Sequence, residues 1–189
     1  HINVHHTNEI AQSEGAYGKP FAKIWMHGEF LLVHDAKMAK SEKNFLTLDG
    51  LIEKGFNPLA FRYLVLTAHY RSKLNFTWES LVSAENSLKK LYEFIKKLKR
   101  EKNRVSNRKT RGLVSIYQKL FQEALADDLK TPDALATVWG LVNAYNKDPY
   151  SFEASAILKI LYDFDKVLGL GFIDIGIEDT PREVLALVE

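Results

Sequence analysis

The sequence predicts a mainly α protein, with a short mixed α/β region ahead of an antiparallel helical bundle. Three observations carry this. Beyond Thr77, apolar residues recur at helical spacing in four long segments joined by short polar connectors. Before Thr77 the segments are short and punctuated by Gly18, Pro20, Gly28, Gly55 and Pro58, with strand-like runs only on either side of Gly28. The 189 residues, 46% hydrophobic and 26% charged, have a globular composition with room for a sizeable core.

Taken in order, His5 to about Ala16 reads as a helix that breaks at Gly18-Lys19-Pro20. Phe21–His27 and Glu29–Val33 read as two strands leading into a lysine-rich loop. Leu46–Lys54 is a short helix with Thr47 as N-cap and Gly55 as its stop. Pro58 opens a helix to about His69 whose apolar residues form no narrow stripe, so burial on more than one side is expected. Thr77 caps a long helix with Leu81, Leu88, Leu91, Tyr92, Ile95 and Leu98 on its core face. Asn103–Thr110 reads as a basic loop. The next helix buries Leu113, Ile116, Tyr117, Leu120, Phe121 and Leu125, and ends near Asp127-Asp128. Thr131-Pro132 restarts the chain as N-cap and first helical residue, burying Leu135, Val138, Trp139 and Val142. After Asn146–Pro149 a last helix uses Ala156, Ile157, Ile160, Leu161, Phe164, Val167 and Leu168, and Gly169 and Gly171 close it.

No apolar run reaches the roughly 18 to 20 residues that a membrane span needs. No secretory signal pattern is present, and the absence of cysteine removes disulfides and thiolate ligands from the chain's own repertoire. These features fit a reducing, cytoplasmic setting. The net charge of +2 is unremarkable, but its distribution is not. Between Lys89 and Arg111 lie eleven basic residues, among them Lys96, Lys97, Arg100, Arg104 and Arg108, opposed by Glu93 and Glu101 alone. Such a field favours a polyanionic partner, while a solvated helix face is the plainer reading.

Three polar blocks carry the chemistry. His5 and Glu9 lie at i and i+4, one helix face, which is metal-ligand spacing. His6 is also at a helical offset from Glu9, so spacing leaves both imidazoles in play. Two ligands do not complete a zinc site, and a polar helix start is the alternative. Lys37-Met38-Ala39-Lys40-Ser41 places two ammonium groups and a hydroxyl on a loop after a strand, suited to a polyphosphate whose charge grows during reaction. An ordinary basic turn would look the same. The third block is Ala68-His69-Tyr70-Arg71-Ser72.

Together, His5-His6-Thr7-Asn8-Glu9-Ile10-Ala11-Gln12-Ser13-Glu14, Trp25-Met26-His27, Lys37–Ser41 and His69–Ser72 resemble cysteinyl-tRNA synthetase, a class I aminoacyl-tRNA synthetase. The run from Asp127 to Leu135 resembles the helical region of the same family. The resemblance implies ATP-dependent activation of cysteine to cysteinyl-adenylate, with Mg2+ accompanying ATP, and transfer to the 3′ end of tRNA(Cys). It implies one Zn2+ that grips the substrate thiolate, with His5 and Glu9 as two of its ligands. It matches Lys40 and His27 to catalytic positions, and Lys37, Met38, Lys40, Ser41 and His27 to the ATP site. It raises Lys96, Lys97, Arg100, Arg104 and Arg108 to candidate tRNA-backbone contacts.

In the family's plan, residues 1–45 close a Rossmann-like catalytic domain, 46–75 form a stem-contact region, 76–172 the helical bundle, and 173–189 begin a further C-terminal region. Ala39 departs from the serine usual at that loop position. The family's His-x-Gly-His element and two further zinc-ligand cysteines belong upstream of His1. The chain is therefore expected to be one part of a longer, monomeric enzyme and inactive alone. Two other readings are a cysteine–amino-sugar ligase, which needs no basic bundle, and a non-catalytic helical RNA-binding module.

Overall fold

A computed structural model describes residues 2–33, 36–37, 46–101 and 108–176. A π-helical turn, Ile2–His6, runs into helix α1, Thr7–Tyr17. Gly18 ends α1 in the left-handed conformation at φ 61°, and its N–H bonds the Glu14 carbonyl. Residues 21–27 are not a strand, contrary to the strand-like run read from the sequence. No neighbouring strand among the described residues offers them a ladder, and all but His27 are exposed.

The sheet is smaller and differently built than expected. Strand β1, Leu31–Val33, lies between β2, Ala36–Lys37, and β3, Leu74–Phe76. Leu32 pairs with Lys37 in an antiparallel register, while Leu31, Leu32 and Val33 run parallel to Leu74, Asn75 and Phe76. A parallel pair needs a long crossover, and here the chain between β1 and β3 includes two helices. These are α2, Leu48–Glu53, capped by Thr47, and α3, Pro58–Leu66, capped by Asn57 with Pro58 in its first turn. Burial on α3 falls on Ala60, Tyr63 and Leu64, and Leu59, Phe61 and Leu66 are partly covered.

The bundle follows. Helix α4, Trp78–Arg100, starts with a reciprocal capping box between Thr77 and Ser80 and buries Leu81, Ala84, Leu88, Leu91, Phe94, Ile95 and Leu98. Tyr92 is only half-buried; its hydroxyl donates to the Leu170 carbonyl, and burial with the charges of Asp165 and Asp174 pushes the phenol up to about 12. Helix α5, Arg108–Ala126, begins inside the segment read as a loop. Its buried residues are Thr110, Phe121 and Ala124, whereas Ile116 and Leu120 are 58% and 45% exposed, against expectation. The apolar face of α5 is wider than the surface α6 and α7 cover. Helix α6, Thr131–Lys147, has Lys130 rather than Thr131 at its N-cap position, since the Thr131 hydroxyl is drawn to the Ala68 carbonyl. After a 3-10 turn, Pro149–Ser151, helix α7, Ala154–Leu168, buries Ile157, Ile160, Leu161, Phe164 and Leu168 but leaves Val167 exposed.

One continuous core runs from Val33 through Leu51, Phe76 and the four bundle helices to Phe172. Phe121 and Phe164 stack with centroids 4.0 Å apart, and the Trp139 indole N–H donates to the Tyr63 hydroxyl at 2.9 Å, tying α6 to α3. No helix among the described residues is long and apolar enough to cross a membrane.

Gly169 closes α7 at φ 63°, and a Cβ there would stand 2.9 Å from Nη2 of Arg62, whose guanidinium donates to the Leu168 carbonyl. Gly169→Ala should therefore cost about 1–2 kcal/mol in urea denaturation, combining left-handed strain with displacement of the Arg62 cap. A change below a few tenths would show that the turn relaxes freely.

Candidate functional site

The π-helical turn and the first turn of α1 bring His5, His6 and Glu9 together, with one donor atom from each within 4.8 Å of the others. His5 Nε2 stands 3.3 Å from Glu9 Oε1, and His6 Nδ1 donates to Glu9 Oε2 at 2.8 Å. The two distances mean different things. Ligands about 2.0–2.1 Å from a tetrahedral zinc lie about 3.3–3.4 Å apart, so His5 and Glu9 already hold ligand spacing. His6, at a hydrogen-bond distance from the other carboxylate oxygen, is placed to orient Glu9 from outside. Exposure agrees, with the His5 side chain 61% and that of His6 20% accessible. The His6 hydrogen bond holds the Glu9 carboxyl below its ordinary range, against the opposing effect of burial and with the help of the neighbouring imidazole charges. An imidazole and a carboxylate at this spacing are zinc-ligand types, and they fit part of a zinc site.

Behind His6 lie Trp25 and His27, at ring-centroid distances of 4.7 and 4.9 Å. His27 Nε2 is buried and has no hydrogen-bond partner among the described residues. A buried orphan ring nitrogen is costly unless a partner satisfies it, and this one belongs to a ring packed against His6. Of the loop residues, Lys37 lies in β2, and Met38, Ala39, Lys40 and Ser41 lie outside the described residues.

The basic segment is less uniform than its composition. Lys96 pairs with Glu93 at 3.0 Å, and Lys97 donates to Asn146 at 3.1 Å and covers the Tyr145 ring. Lys99 donates to the Ile175 carbonyl, and Lys109 reaches Ser151. These cations brace the bundle as well as charging it. Arg100 and Arg108 are exposed at facing ends of α4 and α5, and Arg104 lies outside the described residues.

A cluster not foreseen as a unit joins the segment after α3 to the turn between α5 and α6. The Tyr70 hydroxyl donates to Asp128 Oδ1 at 2.6 Å, and Arg71 Nε approaches Asp128 Oδ2 at 3.0 Å. His69 Nδ1 accepts from the Arg71 N–H at 3.3 Å while Nε2 lies 2.7 Å from the Asp128 carbonyl, so the Nε2–H tautomer serves both. Asp128 and Leu129 both have left-handed backbones, at φ 54° and 53°, where a non-glycine pair is held by its surroundings. The polar block His69–Ser72 and the Asp127-Asp128 pair before a helix start were each visible in the sequence, but nothing there joined them. The Tyr70 hydrogen bond, joined by the charge of Arg71, lowers the Asp128 carboxyl below its ordinary value, outweighing a small effect of burial. A depressed carboxyl stabilises the fold above its ordinary titration range, and that contribution is lost as pH falls through the lowered value. Tyr70→Phe should raise the Asp128 midpoint in a carboxyl-detected NMR titration; an unmoved midpoint would take the hydroxyl out of the account.

A family model described as the class I (C) tRNA synthetase catalytic domain matches residues 2–86, and a DALR domain model matches residues 120–172. The cysteine–tRNA ligase of Protochlamydia amoebophila is 39% identical over 185 residues, covering 95% of this chain and 39% of the relative. That of Borrelia hermsii is 41% identical over 181 residues, covering 90% and 36%, and that of Treponema denticola 36% over 219 residues, covering 100% and 43%. The chain spans about two fifths of the length of these curated relatives. It belongs to the cysteinyl-tRNA synthetase family of class I aminoacyl-tRNA synthetases.

Proposed function

We propose that the chain is part of a cysteine–tRNA ligase, which activates cysteine with ATP to cysteinyl-adenylate and passes the cysteinyl group to tRNA(Cys). The observation that carries this reading is the 3.3 Å separation of His5 Nε2 and Glu9 Oε1, in a chain whose matched relatives are named for that reaction. His5 and Glu9 hold Zn2+, and His6 fixes the Glu9 carboxylate. When bound, zinc supplies a preference for a soft thiolate over a hydroxyl, which would separate cysteine from serine at the binding step. His27, with its buried nitrogen beside this pair, contacts the ATP-derived part of the intermediate. Lys37, Met38, Lys40 and Ser41 line the ATP phosphates, which arrive with Mg2+, and Lys40 meets the charge that builds on the α-phosphate and departing pyrophosphate.

Residues 1–45 close the catalytic domain, 46–75 form the stem-contact region, 76–172 the tRNA-docking bundle, and 173–189 begin a further region. Lys96, Lys97, Arg100, Arg104 and Arg108 contact the tRNA backbone, in an enzyme that acts as a cytoplasmic monomer. The deciding measurement is made on the full ligase: cysteine-dependent ATP–pyrophosphate exchange, then charging of tRNA(Cys). Exchange with transfer only to an amino-sugar would replace the reading with the other ligase, and tRNA binding without exchange would leave an RNA-binding module.

The bundle makes a finer prediction. Arg100 and Arg108 are exposed at the facing ends of α4 and α5, where a phosphate backbone can reach them. Arg100→Gln with Arg108→Gln should weaken tRNA binding and reduce the slope of log K against log salt by about 1 per lost contact. An unchanged slope would return this face to solvent.

A further inference from the structure

Tyr70 bonds both to the segment ahead of β1 and to the α5–α6 turn. Its carbonyl accepts from the Glu29 N–H at 2.8 Å, immediately before β1, and its hydroxyl donates to Asp128 in the α5–α6 turn. The β1 end of that strap leads through the Leu32–Lys37 pair to the start of the nucleotide loop. The Asp128 end is the first residue of the left-handed pair, three residues ahead of the start of α6 at Thr131. Arg71 and His69 add contacts to the side chain and carbonyl of Asp128, and Thr131 bonds the Ala68 carbonyl. Below the strap lies a cleft of about 370 Å3 bounded by Phe30, Leu66, His69, Leu74 and Leu129, so at this point the segments meet through the polar links, while the Trp139–Tyr63 bond ties α6 to α3 deeper in the core.

We infer that Asp128, through Tyr70, Arg71 and His69, is a positioning residue that sets the angle of the α5–α6 hairpin against the sheet bearing the nucleotide loop. The inference rests on the tRNA-ligase reading. A tRNA held by the bundle must deliver its 3′ end to an adenylate held near His27, and a small angular error at the strap becomes a large displacement at the far end of the RNA. Activation of cysteine needs no such alignment. The strap therefore acts on transfer and not on adenylate formation.

The test compares the full ligase with its Asp128→Asn and Tyr70→Phe variants. Asparagine tolerates the left-handed backbone, so the turn survives while the carboxylate is removed. Tyr70→Phe removes one hydroxyl and leaves the ring. Each variant should lower kcat/KM for tRNA charging by roughly tenfold, with ATP–pyrophosphate exchange within about twofold of the parent. The double variant should lose less than the sum of the single losses, because both act on one contact: the amide keeps an acceptor for the Tyr70 hydroxyl but loses the charge that Arg71 pairs with. Equal losses in exchange and charging, or no loss in charging, overturn the inference, as does a fully additive double variant. If the parent ligase exchanges pyrophosphate with cysteine yet charges no tRNA, the functional reading fails and takes the strap's role with it; a parent that charges normally beside unaffected variants sinks the strap alone.

Discussion

In the full ligase, Lys40→Ala is expected to slow cysteinyl-adenylate formation by roughly 10²- to 10³-fold while cysteine affinity stays where it was, the cost of removing one preorganised charge from a developing oxyanion. The split follows from where the charge is needed. Free ATP already carries its counter-ion, so an extra ammonium adds little in the ground state. As the bond to pyrophosphate breaks, negative charge concentrates on the leaving group, and a lysine on a closing loop meets it only then. The sheet gives the loop a fixed root, because Lys37 is paired to Leu32 in β2 and the chain leaves that rung directly toward Met38. Ala39 departs from the serine that the family resemblance places there and takes one hydroxyl out of the loop, while the ammonium groups of Lys37 and Lys40 both remain. Lys40→Arg, which keeps the charge on a bulkier fork, should recover part of the rate. Pre-steady-state measurement of adenylate formation checks both. If Lys40→Ala forms adenylate at the parent rate, or instead loses cysteine affinity, the loop is not the phosphate clamp.

The legible parts of this fold are those whose signal is local. Thr77 followed by Ser80 and a 3.6-residue apolar recurrence specify α4 nearly to the residue, because cap and stripe lie in one segment. Thr47, Asn57-Pro58 and Gly169 mark helix ends for the same reason. What failed was set by distant partners. Residues 21–27 have a strand-like composition but find no ladder among the described residues, while Leu74–Phe76 became a strand only because Leu31–Val33 lay beside it. Ile116 and Leu120 have core chemistry on a helix whose neighbours cover a narrower face. At the His5–His6–Glu9 cluster, the i and i+4 spacing was readable but left both imidazoles in play, and it was the family resemblance that singled out His5 as the candidate ligand. The Tyr70–Asp128 bond joins residues 58 apart, and nothing in either local sequence announces the other. The left-handed turn at Asp128 and Leu129 escaped notice because neither residue is glycine or asparagine, the usual markers.

Glu9→Gln should leave the purified ligase with little bound zinc, whereas His6→Ala should weaken zinc by only about 10- to 100-fold, the range typical of an outer-shell partner. The difference follows from the two contacts of one carboxylate. Glu9 Oε1 shares ligand spacing with His5, so the amide replaces an anionic ligand by a neutral carbonyl at a site with few donors. Glu9 Oε2 accepts from His6, so losing that imidazole frees the carboxylate to rotate without removing a first ligand. His5→Ala should therefore resemble Glu9→Gln and not His6→Ala, even though His6 is the closer and less exposed of the two imidazoles. Metal analysis of the purified variants, with chelator competition to rank affinities, reads this out without any turnover. A His6→Ala protein that loses its zinc while His5→Ala retains it would exchange the two assignments. Full zinc in Glu9→Gln would remove the carboxylate from the coordination sphere and with it the reason for its two-sided hold.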